Sequence, residues 1–264
     1  MCFDAESVPP ILTPAITSAT ETRVILNSAD GSRFAAFLAR PGSPSGTGVM
    51  VLPDLRGLSP FYEQLAVRLA EQGHTALAID YFGRSAGAQP RDDKFPFMEH
   101  VIHITRKTLN EDIAAGAAFL RLPQGGGCER RLAMGFCFGG RQAFLASAPE
   151  FGLNGVIGFY GAPGVYPNGS SGPTQRAAEL AGPILAIFGG ADAGISSEDI
   201  SAFGQALRNA DIDHEIVIYP GAPHSFFDIK YAEHSAACAD AWRRVLEFIA
   251  TERHRDESST HYDR

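Results

Sequence analysis

Cysteine is scarce in this 264-residue chain: Cys2, Cys128, Cys137 and Cys238 are all there is. None of the four falls in a C-x-x-C spacing, which excludes the common zinc and thioredoxin-like arrangements and leaves reduced thiols in a reducing compartment. Positive charge is also in deficit, with 22 Lys and Arg against 30 Asp and Glu and a net charge of -8. No basic face is available for phosphate backbones, so nucleic acid is not an expected partner. Long uncharged apolar runs are absent too, and Met1 to Glu6 lacks a positive region followed by an apolar core. The expectation is a cytoplasmic protein with no membrane partner.

Short apolar strands alternate with helical segments along the chain, without an internal repeat. Arg23 to Ser28 and Arg33 to Ala39 flank an Asp30-Gly31 turn and read as an antiparallel hairpin. Val49 to Pro53, Thr75 to Asp80, Leu132 to Met134, Val156 to Tyr160, Ile184 to Phe188 and Glu215 to Tyr219 follow as strands, mostly of the wholly apolar kind found inside parallel sheets. Helices are expected around Pro60 to Gly73, His100 to Leu120, Arg141 to Ala148, Ser197 to Asn209 and Tyr231 to Ala250. Tyr81 to Phe97 and Pro163 to Pro173 read as long loops, where function tends to concentrate. The order predicts a doubly wound, mainly parallel α/β sheet with helices on both faces and an antiparallel start. Residues 1–20 read as an extended arm, 21–250 as one domain and 251–264 as a polar tail.

Gly135-Phe136-Cys137-Phe138-Gly139-Gly140 sits between an apolar strand and a helix. A glycine-flanked nucleophile at a strand-to-helix turn is the nucleophile elbow of α/β-hydrolases, here with cysteine in the usual place of serine. Such a nucleophile needs a base and an orienting carboxylate, which in that fold come later in the chain as acid and then histidine. Asp192 follows the strand Ile184 to Phe188, and His224 follows the strand Glu215 to Tyr219. Taken singly, such an aspartate is more often a turn or cap residue and such a histidine a plain polar one, but together, in order and at strand ends, they would converge with Cys137 on one crevice. The backbone N–H groups of Leu55 and Phe138 are the candidate oxyanion donors. Gly83-Arg84-Ser85-Ala86-Gly87 matches the serine form of the pattern, but neither strand nor helix abuts it. His100 and His103 share a helical face without a third ligand, so no metal and no organic cofactor is expected. Cys2, Cys128 and Cys238 have no base nearby in sequence and read as structural.

These residues resemble the dienelactone hydrolase family over about Arg23 to Ile249. The resemblance also rests on Leu52-Pro53-Asp54-Leu55-Arg56-Gly57, Leu69 to His74, Gly189 to Asp192 and Pro223-His224-Ser225-Phe226. It implies an α/β-hydrolase fold, Cys137 as nucleophile, His224 as base and Asp192 as its carboxylate. In that family a glutamate after the third strand contacts the thiol and accepts its proton, and Asp54, one methylene shorter, stands at that position as an auxiliary carboxylate. The family's substrate-gripping arginine shortly after the histidine is replaced here by the stretch Phe226-Phe227-Asp228. An aspartate there would repel an anion, which leaves open a same-fold esterase or thioesterase for non-carboxylated substrates. A non-catalytic binding protein and a redox role for Cys137 are the remaining alternatives. Arg84, with Arg91, Lys94 and Arg106 as alternates, is the candidate cation for substrate. Tyr160 and Phe226, with Tyr81 and Phe138, are candidate pocket walls. A small-molecule ester or lactone is the expected partner, and a monomer and a homodimer both remain open.

Overall fold

A computed structural model describes residue 3 and residues 6–91, 94–166 and 169–259, with side chains described as far as Ala250. In chain order it contains β1 (Ala19–Asn27), β2 (Arg33–Pro41), β3 (Thr47–Leu52), α1 (Pro60–Glu71), β4 (Thr75–Ile79), α2 (Gly83–Ala86), α3 (Phe97–Val101) and α4 (Arg106–Arg121). Then come β5 (Arg130–Phe136), α5 (Phe138–Leu145), β6 (Gly155–Phe159), β7 (Ile184–Gly189), α6 (Ser197–Asn209), β8 (His214–Tyr219) and α7 (Ser235–Ser259). The strands form one sheet in the order β1-β2-β4-β3-β5-β6-β7-β8. β1 and β2 pair antiparallel, β2 is antiparallel to β4, and every other neighbour is parallel. This is the α/β-hydrolase fold.

Local chemistry accounts for the elements. β3, β4, β6 and β7 are buried at every residue, so both faces of the central sheet are covered by helices and loops. The edge strands β1 and β8 alternate with exposed residues instead. Pro60 opens α1 at the position where its missing N–H is no loss, and its apolar face buries Phe61, Tyr62, Leu65, Ala66 and Leu69. The helix expected around His100 to Leu120 is two helices. Thr105 breaks it by capping α4, exchanging hydrogen bonds with Thr108 in a capping box. α7 carries helical backbone past Ala250, into the stretch that reads as polar tail, and residues 260–264 lie outside the described residues.

The described part of the N-terminal arm is tied to the domain at several points. Ile229 N–H donates to Val8 O (3.2 Å), Trp242 Nε1 to Thr13 Oγ1 (3.0 Å) and Ile16 N–H to Glu71 O (3.0 Å). Phe3 is buried, its ring stacked on Phe61 at 3.9 Å. Cys2 lies outside the described residues. Among those described, no helix is long and apolar enough to cross a membrane.

Behind α5, Phe144 packs on Phe188 and Phe203 with ring centroids 6.2 and 5.0 Å away. Truncating a fully buried phenylalanine costs about 3–5 kcal/mol. Phe203→Ala is therefore expected to lower Tm by roughly 6–20 °C, at about 2–4 °C per kcal/mol for a domain of this size, in a thermal melt followed by circular dichroism.

Candidate active site

β5 delivers Cys137 to the carboxyl end of the sheet, and α5 starts at the next residue. Cys137 has φ 54° and ψ -114°, a conformation that a side chain disfavours. Its N–H donates to Phe159 O of β6 at 2.9 Å, which fixes the turn against the neighbouring strand. The flanking glycines are dictated by contact. A Cβ at Gly135 would drive into Gly139 O, and one at Gly139 would drive into the carbonyl oxygens of Leu52 and Pro53. The first turn of α5 thus lies directly on the end of β3.

β7 and β8 bring the other two residues together. His224 Nδ1 lies 2.6 Å from Asp192 Oδ2, and Asp192 Oδ1 accepts the Gly194 N–H at 2.8 Å. Burial pushes the Asp192 carboxyl up, but the His224 hydrogen bond, the Gly194 N–H and the imidazole charge outweigh it and hold its pKa below the ordinary carboxylate value. An ionised Asp192 favours the His224 tautomer that carries its proton on Nδ1. The Tyr160 ring stands 4.9 Å from the imidazole. Tyr160 (φ 38°) and Ser225 (φ 57°) join Cys137 in the left-handed region, so strained backbone gathers around this site.

The segment after β3 is wired from both sides. Asp54 N–H donates to Tyr62 OH (3.0 Å), and the buried Tyr81 hydroxyl donates to Pro53 O (2.9 Å). Asp54 Oδ1 accepts the Arg56 N–H at 2.8 Å, while Oδ2 lies 3.0 Å from the Arg56 guanidinium. Gly57 N–H closes the turn on Asp54 O (3.1 Å), and Leu58 N–H donates to Asp80 Oδ1 (3.2 Å). Leu55 lies in the middle of this fixed turn. Phe138 N–H, in the first turn of α5, belongs to the amides that have no intrahelical partner. Tyr81 and Phe138 make a T-shaped contact at 5.6 Å beside the two candidate donor segments. Burial and the charges of Asp54, Asp80 and Cys137 raise the Tyr81 pKa well above the phenol value, so Tyr81 stays protonated.

Several candidates sit elsewhere. Arg84 is not a substrate cation in this structure: its guanidinium pairs with Asp112 (2.7 Å), Asp30 (2.8 Å) and Glu111 (3.3 Å). Arg91 is committed to the buried Asp80 at 2.9 Å. Asp228 is buried and accepts the Lys230 N–H at 3.1 Å, so the residue in place of the family's arginine caps its own turn. Phe226 is fully buried between Tyr160 (5.8 Å) and Tyr219 (5.4 Å) and serves as packing behind the imidazole. Ser85 lies inside the single turn α2, and the His100 ring stacks on Phe95 at 4.9 Å. Cys128 and Cys238 are buried, and burial raises both pKa values, that of Cys238 to about 11. Sequence reasoning passed over Arg56, Tyr62 and Asp80. The Asp-x-Arg-Gly spacing and a carboxylate ending an otherwise apolar strand were the available signals.

The model of the dienelactone hydrolase family matches residues 34–253. The chain belongs to this family. With it comes membership among the hydrolases that act on ester bonds. A carboxymethylenebutenolidase of Rhodococcus opacus is 30% identical over 272 residues, covering 94% of this chain and 96% of its own. The crystal structure of a Klebsiella pneumoniae protein named "Putative Dienelactone Hydrolase" superposes with a TM-score of 0.76 at 27% identity, covering 88% of this chain and 99% of that one.

Breaking a buried ion pair strands the remaining charge. Arg56→Ala is expected to destabilise the fold by about 3 kcal/mol in urea unfolding, with part recovered in Asp54→Asn/Arg56→Ala. Because the folded pKa of Asp192 is depressed, its contribution to stability is present above the unfolded value of about 3.9 and is lost as pH falls through the folded value. The stability difference between the native chain and Asp192→Asn should therefore be larger at pH 6 than below that window. A difference constant with pH would contradict this linkage.

Proposed function

We propose that the protein hydrolyses a carboxylic ester or lactone through a thioester on Cys137. The reading is supported above all by one juxtaposition: a strained cysteine at the β5 to α5 turn, with a histidine already bonded to a carboxylate (2.6 Å) at the ends of the following strands. Cys137 Sγ attacks the carbonyl carbon while its proton passes to His224 Nε2. Asp192 holds the imidazole in the right tautomer and stabilises its charged form. The N–H groups of Phe138 and Leu55 receive the oxyanion, and the wiring of the Pro53 to Leu58 segment keeps the second donor in place without reorganisation.

Collapse of the tetrahedral adduct breaks the bond to the alcohol oxygen, which takes the proton from His224. Water then attacks the thioester and gives a proton to His224, and the acid leaves as the thiol is restored. Asp54, buried directly before Leu55, is the auxiliary carboxylate, and Arg56 sets its position. The imidazole and Asp54 are the two groups proposed to take the thiol proton.

The test is turnover of activated aryl esters and a carboxylated lactone by the native chain and single variants. Cys137→Ala is expected to lose about 10³-fold or more in kcat, as is typical for a removed nucleophile. Ser85→Ala is expected to keep native rates. Equal rates for the native chain and Cys137→Ala would overturn the assignment, and loss of activity in Ser85→Ala would move the nucleophile to α2.

A further inference from the structure

Arg141 lies one turn into α5, its N–H donating to Cys137 O at 3.1 Å. Its side chain runs under the loop that follows β6. Nη1 donates to Ala162 O at 2.6 Å, and Cζ sits 3.4 Å from the centroid of the Tyr166 ring. Gln142 Nε2 holds the Tyr166 hydroxyl at 2.8 Å, which fixes that ring in place. Arg141 is only 5% exposed. Among the described residues it makes no ion pair, and its Nε and Nη2 have no hydrogen-bond partner.

Those two atoms form one edge of the guanidinium. Nε–H and the adjacent Nη–H point in parallel and match the two oxygens of a carboxylate. Leaving both buried and unpaired is costly, and natural interiors avoid it. Arg131 shows the contrast: it too is buried and its Nε is unmet, but both its Nη atoms donate, to the carbonyls of Cys128, Glu129 and Gly152. Beside Arg141 the chain carries a glycine: a Cβ at Gly172 would come 1.9 Å from Gly164 O and 2.5 Å from Nη2, so only backbone approaches that end of the guanidinium there. Of the other cations considered for substrate, Arg84 is spent on three carboxylates and Arg91 on Asp80. Arg141 is linked to the site residues through the backbone of its own helix and through the loop after β6, since its N–H donates to Cys137 O. Tyr160, whose ring touches His224 at 4.9 Å, is two residues before Ala162, which takes Nη1.

We infer that the Nε/Nη2 edge of Arg141 is a carboxylate subsite for the acid portion of the substrate. The assignment rests on the hydrolase reading for its role in turnover, but not for binding itself. It gives the chain an anion receptor from the elbow helix, on a different element from the position where Asp228 stands.

The experiment compares the full chain with Arg141→Met and Arg141→Lys. Two substrates of matched leaving group are used, 4-nitrophenyl butyrate and the 4-nitrophenyl half-ester of succinate. Binding of succinate to Cys137→Ala, with and without Arg141→Met, is measured by calorimetry. The ratio of kcat/KM for the succinyl over the butyryl ester should fall about tenfold or more in Arg141→Met, mainly through KM, the size of a lost charged hydrogen-bond pair. Arg141→Lys, which keeps the charge but not the fork, should recover part of that ratio. Succinate should compete with the butyryl ester and lose at least about tenfold in affinity when Arg141 is replaced.

An unchanged ratio with unchanged succinate binding would overturn the subsite. Arg141-dependent binding that does not compete with the ester would overturn its assignment to the substrate in favour of a separate carboxylate ligand. If neither ester turns over while succinate binding still depends on Arg141, the hydrolase reading fails and the subsite stands. Should Arg141→Met fail to fold, Arg141→Lys carries the same comparison through the ratio and the succinate affinity.

Discussion

The candidate site depends on one backbone contact, the first turn of α5 seated on the end of β3. It exists only because Gly135 and Gly139 have no side chains, and it forces Cys137 into φ 54°. The same contact seats the first turn of α5 on Leu52 and Pro53, so the candidate nucleophile and the candidate oxyanion donors are positioned by a single steric fit. The strain stored at Cys137 is held by the surrounding fold: a buried parallel strand on each side of β5, and the hydrogen bond from its own N–H to Phe159 O.

Around that contact, charge is distributed so that most groups are already spoken for. Asp80 ties Leu58, Phe82 and Arg91 together at the end of β4. Arg56 holds Asp54, and Arg84 is locked among Asp30, Glu111 and Asp112. Asp192 holds His224, with a pKa pulled below the ordinary range because the bonds to its ionised form outweigh burial. Against this background a buried arginine with a whole donor edge unmet, as at Arg141, is an exception that calls for a ligand.

Much of this was legible in the sequence because it is written in local terms. Apolar runs bounded by glycine and proline gave the strands, and the Asp30-Gly31 turn gave the antiparallel start. The elbow could be read because sterics restrict which residues fit two positions from the nucleophile. Asp192 and His224 could be read because each follows a strand directly. What the sequence left unread depends on pairing at a distance: Arg84 finds Asp112 and Asp30 through the fold, Tyr62 reaches back to Asp54, and Arg141 reaches across to Tyr166. The split of the helix expected from His100 to Leu120 was a local event that went unread, since Thr105 and Thr108 form a capping box with threonine where glutamate is usual.

An acyl group that passes through Cys137 can be caught by mass spectrometry of the chain quenched during turnover of an activated ester. The expected result is a population heavier by one acyl group, located on the peptide that contains Cys137 and removed by hydroxylamine as a thioester should be. Turnover with no acylated population under burst conditions, or an acyl group located on Ser85, would contradict it.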